Sequence, residues 1–122
     1  MLHAPPVASQ ARIIALMSPE DIRRNHRWLA ERSRARMTLV DVAGRVTADS
    51  DAQARNTGNH LHRTEIEEAR LKGLGTAIRY SRTLRTDMLY VALPLTRGPA
   101  TAGYVRLARP LSAVENSVNA FR

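Results

Sequence analysis

Apolar residues at helical spacing predict a broken helix at the start of the chain. They recur through residues 8–17, and Ser18 and Pro19 then form a fresh helix start, with Asp21 as the capping-box partner. Serine caps a helix N-terminus and proline fits its first turn. The second helix is predicted to run to about Arg34, so a kink or break falls at Ser18.

The next segment of the chain has the pattern of two strands that form a hairpin. Residues 37–42 and 45–48 are predicted strands, and the turn at Ala43 and Gly44 reverses the chain between them. From residue 49 to 63 the composition shifts to Asp, Asn, Gly, Ser and His. That composition predicts a loop.

The second half contains a short helix and three strands. Thr64 and Glu67 predict a capping box for a helix over residues 65–72, which stops at Gly73. The strands that follow, with no helix between them, are predicted over residues 76–83, 86–93 and 102–109.

The middle strand of these three is apolar on both faces. Residues 88–93 are an unbroken apolar run, whereas a strand wetted on one side alternates. We therefore predict that this strand is central in its sheet. The order of elements predicts an α+β domain with a five-stranded antiparallel sheet and helices on its faces.

The last strand passes through Pro110 directly into a final helix. An apolar stripe at helical spacing is formed there by Leu111, Val114, Val118 and Phe121. The stripe packs either on the domain's own core or on a second copy of the helix, and the sequence leaves both alternatives open. A helix joined to a strand without a linker is suited to report the state of the sheet, as a sensor requires.

Composition and length narrow the classes of protein. A chain of 122 residues, 43% of them hydrophobic, supports one domain with one core. The absence of cysteine excludes disulfides and thiolate chemistry. The sequence has no apolar run long enough to span a bilayer and no pattern of a signal peptide, so we expect these residues to be soluble as they stand.

The charge raises the question of a nucleic-acid partner. A net charge of +8 is typical of nucleic-acid binders. However, the arginines are spread from Arg12 to Arg122, the longest run is the pair Arg23-Arg24, and aromatic residues for stacking are few. We predict no nucleic acid among the partners, and a basic surface near an anionic membrane suits the charge equally well. A basic cytoplasmic module that binds nucleic acid or protein is the alternative function.

Residues distributed along most of the chain carry a resemblance. They are residues 37–46 (MTLVDVAGRV), Ala48, Asp49, Ser50, Asn59, His60, Arg63, Glu65, Arg79, Ser81, Thr83, residues 87–92 (DMLYVA) and Pro94. These segments resemble the extracytoplasmic sensor domain of phosphate-regulon type sensor histidine kinases, a PAS-like or single-Cache fold. The chain departs from that family's pattern at Thr64, where proline often stands.

The resemblance implies a domain between two transmembrane helices of a kinase, on the periplasmic or extracellular side of the bacterial cytoplasmic membrane. It divides the chain into an N-terminal helix (1–17), a PAS-like sensor domain (18–110) and a C-terminal output helix (111–122). The isolated domain is then no enzyme, and the parent is an ATP-dependent protein histidine kinase. The resemblance supplies no ligand.

A ligand-binding face is predicted from the register of the hairpin around Arg85 and Thr86. If these two residues form its loop, side chains from both strands share one face, and a loop one residue longer would break the pairing. The predicted pairs are Thr83 with Met88, Ser81 with Tyr90, and Arg79 with Ala92.

This face combines a cation, two hydroxyls, a phenol and a thioether, which are suited to line a cavity. The opposite face is predicted to be core and carries Ile78, Tyr80, Leu89, Val91 and Leu93. A guanidinium in a central strand is costly to bury unless an anion meets it, so Arg79, if its strand is central, predicts a small anionic ligand. Alternatively, Arg79 ends in water while Ser81 and Tyr90 satisfy backbone groups.

The loop histidines are weak evidence for a metal. His60 and His62 lie near Glu65 but lack a third placed ligand, so no metal site is predicted. His60 and Arg63 are instead expected to gate the pocket. The sequence also has no Gly-rich phosphate loop, serine nucleophile motif or buried carboxylate pair, and no cofactor or catalytic residue is predicted.

The N-terminal helix predicts self-association. Ile13, Leu16 and Met17 have little core to join, and we expect them to contact a second copy in a parallel homodimer. Trp28 is expected either in the core or in a dimer contact.

Overall fold

The structure, a computed structural model, describes residues 6–51, 60–82 and 84–112. The elements in chain order are α1 (Val7–Ile14), α2 (Pro19–Arg24), α3 (His26–Ser33), β1 (Arg36–Val40), β2 (Val46–Asp49), α4 (Thr64–Lys72), β3 (Gly75–Ser81), β4 (Thr86–Arg97) and β5 (Ala100–Pro110). The strands form one sheet in the order β2-β1-β5-β4-β3, with every neighbouring pair antiparallel. The predicted α+β class with a five-stranded antiparallel sheet is confirmed.

The predicted helix start at Ser18 is correct, but the helix that follows is shorter than predicted. The Ser18 hydroxyl accepts the Asp21 N–H at 3.2 Å, and Pro19 opens α2. The chain then breaks at Asn25, which has φ −109° and whose side chain donates to the Asp21 carbonyl at 2.9 Å. The Asn25 backbone N–H makes the helical bond to the same carbonyl at 3.0 Å, so α2 ends with its last bond intact, and the non-helical Asn25 separates it from α3 where a single helix was predicted.

Trp28 is not part of the core. Its side chain is 55% exposed, and the Arg32 guanidinium lies 4.8 Å from its ring centroid. The two residues are four apart in α3 and therefore share its outer face.

Helix α4 starts one residue earlier than predicted, and Thr64 is not its cap. The Arg63 carbonyl accepts the Glu67 N–H at 2.9 Å, so Arg63 is in the N-cap position and makes no side-chain cap. The predicted end is confirmed, because Gly73 has φ +82°, a left-handed conformation that glycine adopts without strain.

Strand β5, and not β4, lies at the centre of the sheet. Residues 103–109 are buried without interruption. Strand β4 is interior, as expected from its continuous apolar run, but it lies between β5 and the edge strand β3. Strand β5 is central because it pairs with β4 along one side and with β1 along the other.

One face of the sheet, which we call the apolar face, packs against α1, α2 and α3. Its buried residues are Met37, Leu39, Val91, Leu93, Leu95, Val105 and Leu107, and the helices contribute Val7, Ala11, Ile14, Ile22, Leu29 and Ala30. The opposite face, which we call the polar face, packs against α4 through a smaller cluster of Val40, Ile66, Ala69, Ala92 and Tyr104.

The predicted register of the β3–β4 hairpin is wrong by four residues, because its loop is longer than two residues. The observed pairs are Ala77 with Tyr90, Arg79 with Met88, and Ser81 with Thr86. An even shift preserves the alternation of faces, so Arg79, Ser81, Met88 and Tyr90 still share the polar face.

Two of the predicted core residues are exposed. Ile78 and Tyr80 lie on the apolar side of β3 but are 57% and 62% exposed. They belong to the edge strand, which packs mainly against α4 on its other face. The helical layer therefore covers β4 and β5 and leaves β3 open on this side.

The junction at the end of β5 has no intervening linker. The strand ends at Pro110, and Leu111 and Ser112 are already helical. Val114, Val118 and Phe121 of the predicted stripe lie outside the described residues. No helix in the described ranges is long and apolar enough to cross a membrane.

Candidate functional site

Helix α4 lies unusually close to the sheet. On the polar face, residues that lie directly opposite one another on the five strands form a row, and the last two, on β4 and β3, are small. The row consists of Asp49, Thr38, Arg106, Ala92 and Gly75. A Cβ placed on Gly75 would lie 1.8 Å from the Glu65 carbonyl oxygen, so only glycine permits this approach. The first turn of α4 is thereby pressed onto β3, which places the Glu65 side chain among the arginines of the sheet.

Glu65 is a buried carboxylate that two guanidiniums share. Its exposed fraction is 0%, and Arg79 donates to it in bidentate form, from Nη1 to Oε1 and from Nη2 to Oε2, both at 2.7 Å. Arg106 Nη1 adds a longer bond to Oε2 at 3.3 Å. Burial alone would raise the pKa of Glu65, but the hydrogen bonds and charges of these partners outweigh it, so its pKa is below the usual value.

The ring of Tyr90 lies against both guanidiniums. Arg79 Cζ is 4.0 Å and Arg106 Cζ is 5.1 Å from the ring centroid. A phenol face attracts cations, so Tyr90 partly compensates for the water that the two arginines lose.

Arg106 is a buried cation with incomplete pairing. It is 4% exposed, and its Nη2 donates to Thr38 Oγ1 at 3.2 Å. Its Nε–H is buried and meets no acceptor among the described residues. Burial lowers the pKa of Arg106, but a guanidinium stays protonated at neutral pH. An unsatisfied donor on a buried charge is costly unless another group completes it.

A second ion pair closes the β1–β2 side of the polar face. Arg36 donates from Nε to Asp49 Oδ1 at 2.9 Å and from Nη2 to Oδ2 at 2.6 Å. The hydrogen bonds that Arg36 donates to Asp49 raise the pKa of Arg36. Burial would raise the pKa of Asp49, but its hydrogen bonds with Arg36 and with the Asp51 N–H outweigh burial and lower it. The Arg36–Asp49 pair is neutral overall, and both carboxylate oxygens of Asp49 already accept hydrogen bonds.

His60 brings an uncharged ring to the polar side. Its backbone N–H donates to the Gly44 carbonyl at 2.9 Å, and its side chain is 4% exposed. Within the described ranges its Nδ1 has no hydrogen-bond partner. Burial, with the positive charges of Arg63 and Arg106, lowers the pKa of His60 to about 4. The imidazole is therefore neutral at pH 7.

The structure brings together some of the residues predicted from the sequence. Arg79, Met88 and Tyr90 lie side by side on the polar face, and Met88 is buried. The Ser81 hydroxyl accepts the Leu84 N–H at 3.2 Å and so belongs to the turn. Thr83 lies outside the described residues.

The residues predicted to gate the pocket differ in burial. His60 is buried, whereas Arg63 is exposed at the start of α4. His62 is also exposed, and the described part of the chain has no cluster of three or more His, Cys, Asp or Glu side chains that could hold a metal ion.

Sequence analysis missed the residue that the structure makes most conspicuous. Arg106 alternates with Tyr104 and Ala108 on one face of a strand whose other face carries Val105 and Leu107. The argument that predicts an anionic partner for Arg79 applies equally to Arg106. Only the strand order, which is not visible in the sequence, shows that β5 is central and that Arg106 is therefore interior.

No protein-family model and no curated protein sequence matches the chain. Solved structures match it by fold. The ligand-binding domain of the Campylobacter jejuni chemoreceptor Tlp3, in complex with 4-methylisoleucine, gives a TM-score of 0.71 at 14% identity, over 91% of this chain and 52% of that one. The sensor domain of the V. cholerae histidine kinase DctB gives 0.65 at 18% identity, over 93% of this chain and 46% of that one. This chain has a PAS-like fold, which it shares with these sensor domains.

The E. coli DcuS sensor domain has a similar length. It gives a TM-score of 0.64 at 16% identity, over 93% of this chain and 95% of that one. The chain thus spans about half of the Tlp3 and DctB structures and nearly all of the DcuS domain. In this PAS-like fold the two faces of the sheet are covered differently. Three helices cover the apolar face, and a single short helix covers the polar face.

Proposed function

We propose that this chain is an extracytoplasmic signal-sensing domain of a membrane two-component sensor histidine kinase of the phosphate-regulon type, and that its polar face binds a small anionic ligand. The observation that carries this proposal is Arg106, a buried cation whose Nε–H lacks an acceptor among the described residues. Such a group is expensive in a purely structural role and useful in a binding site. The likeness to ligand-binding and sensor domains supports the proposal at the level of fold.

In this proposal the anion accepts the Arg106 Nε–H and lies near Tyr90 and His60. This hydrogen bond would give the Nε–H an acceptor. It would also neutralise the charge of Arg106, whose bond from Nη1 to Glu65 Oε2 is long at 3.3 Å. The full proposed ligand-binding set keeps the sequence-derived residues and adds one: Arg79, Ser81, Thr83, Met88, Tyr90, His60, Arg63 and Arg106. Arg79 was expected to meet the anion directly, but its bidentate partner is Glu65, so the direct contact is assigned to Arg106.

A thermal-shift screen of small carboxylates, amino acids and phosphates, followed by calorimetry on the best compound, tests this function. Arg106→Met should weaken binding by at least about thirtyfold, because truncating one partner of a buried charge pair costs about 2 to 5 kcal/mol. The control is Arg85→Met in the exposed turn of the β3–β4 hairpin. Equal affinity in both variants would reject the site, and Arg106→Lys provides a second variant if Arg106→Met does not fold.

We also propose that the signal leaves through the helix that begins after Pro110. Arg109, buried at the end of β5, donates to the Ser33 carbonyl and to the Gln10 side chain, which ties this end of the strand to α3 and α1. A stiff joint suits transmission, because swinging a kinase from mostly off to mostly on needs a bias of about 5.5 kcal/mol. Inserting three or four glycines after Pro110 should preserve ligand binding and abolish switching in a reporter strain. Normal switching in this insertion variant would show that the helix after Pro110 only packs and does not transmit the signal.

The proposed setting is the periplasmic side of the cytoplasmic membrane, with the parent protein as a parallel homodimer. Helix α1 buries Ala11 and Ile14 against the core, while Ile13 and Leu16 are 64% and 86% exposed. Met17 is half-buried against the core, so Ile13 and Leu16 are the better candidates for the dimer contact.

A further inference from the structure

We infer that Glu65 is a specificity-determining residue, a built-in counter-ion that restricts the polar face to ligands carrying one negative charge. The inference rests on the proposed function of this face as a small-anion site. It concerns which anions that site accepts.

The charges of the cluster around Glu65 and Asp49 support this restriction. Among the described residues, the cluster contains the guanidiniums of Arg36, Arg79 and Arg106 and the carboxylates of Asp49 and Glu65. The Arg36–Asp49 and Arg79–Glu65 pairs are bidentate and neutral, which leaves one excess positive charge on Arg106. One ligand carboxylate would balance that charge. The further cation of the proposed binding set, Arg63, is exposed at the start of α4, where water screens its charge, so a second ligand carboxylate would find no unpaired buried cation among the described residues of the cluster.

Glu65 cannot easily give way to an incoming anion. Both of its oxygens accept bonds from Arg79 at 2.7 Å, its side chain is 0% exposed, and its backbone is held against β3 by the close approach at Gly75. A ligand's second carboxylate near Arg106 would therefore face a fixed negative charge in a dry environment, where repulsion is strong. Arg79 acts here as a positioning residue, since it holds Glu65 in place.

Without the Glu65 charge the same geometry would favour a dianion. Arg79 and Arg106 both lie against the ring of Tyr90, and each would be left with unsatisfied donors. Two neighbouring cations are the arrangement that a dicarboxylate matches. Glu65→Gln removes the charge while nearly preserving the shape of the side chain.

The experiment compares succinamate with succinate, which have the same length and differ by one carboxylate. NMR titrations at constant ionic strength, which measure millimolar affinities, would be made on the wild type, Glu65→Gln and the double variant Glu65→Gln/Arg79→Gln. We expect the wild type to bind succinamate at least about tenfold more tightly than succinate. Glu65→Gln should shift that ratio at least about tenfold toward succinate. The double variant again has one excess cation and should return to the wild-type preference.

Each other outcome overturns the inference. A wild type that binds succinate as tightly as succinamate contradicts it and leaves the anion site standing, and this comparison needs no variant to fold. An unchanged ratio in a folded Glu65→Gln protein, checked by circular dichroism, shows that Glu65 is only structural. If no protein binds either probe, the inference falls, because Glu65→Gln must gain succinate binding whatever the natural ligand is. The proposed function is then judged separately by the wider screen.

Discussion

The two faces of the sheet are built from the same strands but are held together differently. On the apolar face, Leu107 and Val105 are fully buried among aliphatic side chains from three helices. On the polar face, Glu65 is equally buried, but its neighbours are guanidiniums. Aliphatic packing tolerates exchange of one apolar residue for another of similar size, whereas a buried charge tolerates only its own partner. The apolar face thus depends on volume and the polar face on the identity of each residue.

The largest effect is expected on the polar face, from removing its shared carboxylate. Glu65→Ala leaves the buried Arg106 and the half-buried Arg79 without a counter-ion, and should lower the free energy of unfolding by about 3–5 kcal/mol. Urea denaturation measures it. Glu67→Ala, two residues further along α4 and exposed, is the matched control and should stay within about 0.5 kcal/mol. Similar small losses in both variants would mean that the cluster is more hydrated than its burial indicates.

A comparable test of the apolar face removes volume without charge. Leu107→Ala should cost about 2–5 kcal/mol through lost burial and the cavity left behind. Ile78→Ala, at an exposed position on the same side of the sheet, should change the free energy of unfolding by no more than about 0.5 kcal/mol. If Ile78→Ala were as costly as Leu107→Ala, β3 would have a cover on this side that the described residues do not supply.

Acid should weaken the polar face first. The folded pKa of His60, about 4, lies below its usual value of 6.5, so the unfolded chain binds more protons between these two values. The contribution is therefore fully present above about pH 7, and it is lost as the pH falls from 6.5 toward 4. We expect a loss of about 1–3 kcal/mol across this window, measured by urea unfolding at several pH values. His60→Gln should flatten the slope, and a slope that persists in His60→Gln and vanishes in His62→Gln would contradict the assignment.

The smallest effect on stability is expected outside both faces. Leu16→Arg, at an exposed position two residues after the end of α1, should leave the free energy of unfolding within about 0.5 kcal/mol of the wild type. We expect the isolated wild-type domain to associate weakly in sedimentation experiments, and the same variant should weaken that association. A wild type that stays monomeric to millimolar concentration would remove α1 as the dimer contact.

The fold class could be predicted because it depends on local periodicity. The helix start at Ser18, the helix end at Gly73 and the five strands all follow from patterns a few residues long. The register of the β3–β4 hairpin could not be predicted, because it depends on a loop length that the sequence does not fix. The predicted residues still share one face of the sheet only because the observed register differs from the predicted one by an even number of residues.

The site itself was harder to predict, because its contacts are distant in sequence. Glu65 is 14 residues from Arg79 and 41 from Arg106, and their meeting requires the strand order together with the glycine contact of α4. The sequence singles out Arg79 but does not show which carboxylate reaches it, and its strand, β3, is the edge strand and not a central one. The anion predicted beside Arg79 was a ligand, whereas the anion that the structure places there is the Glu65 carboxylate of the protein.

The claim that the polar face is an anion site centred on Arg106 is tested most directly by a crystal structure of the domain with the tightest-binding anion of the screen. We predict an anionic oxygen of the ligand within about 3 Å of Arg106 Nε, with the Glu65–Arg79 pair intact beside it. A ligand bound elsewhere, with the Arg106 Nε–H still lacking an anionic acceptor, would contradict the account.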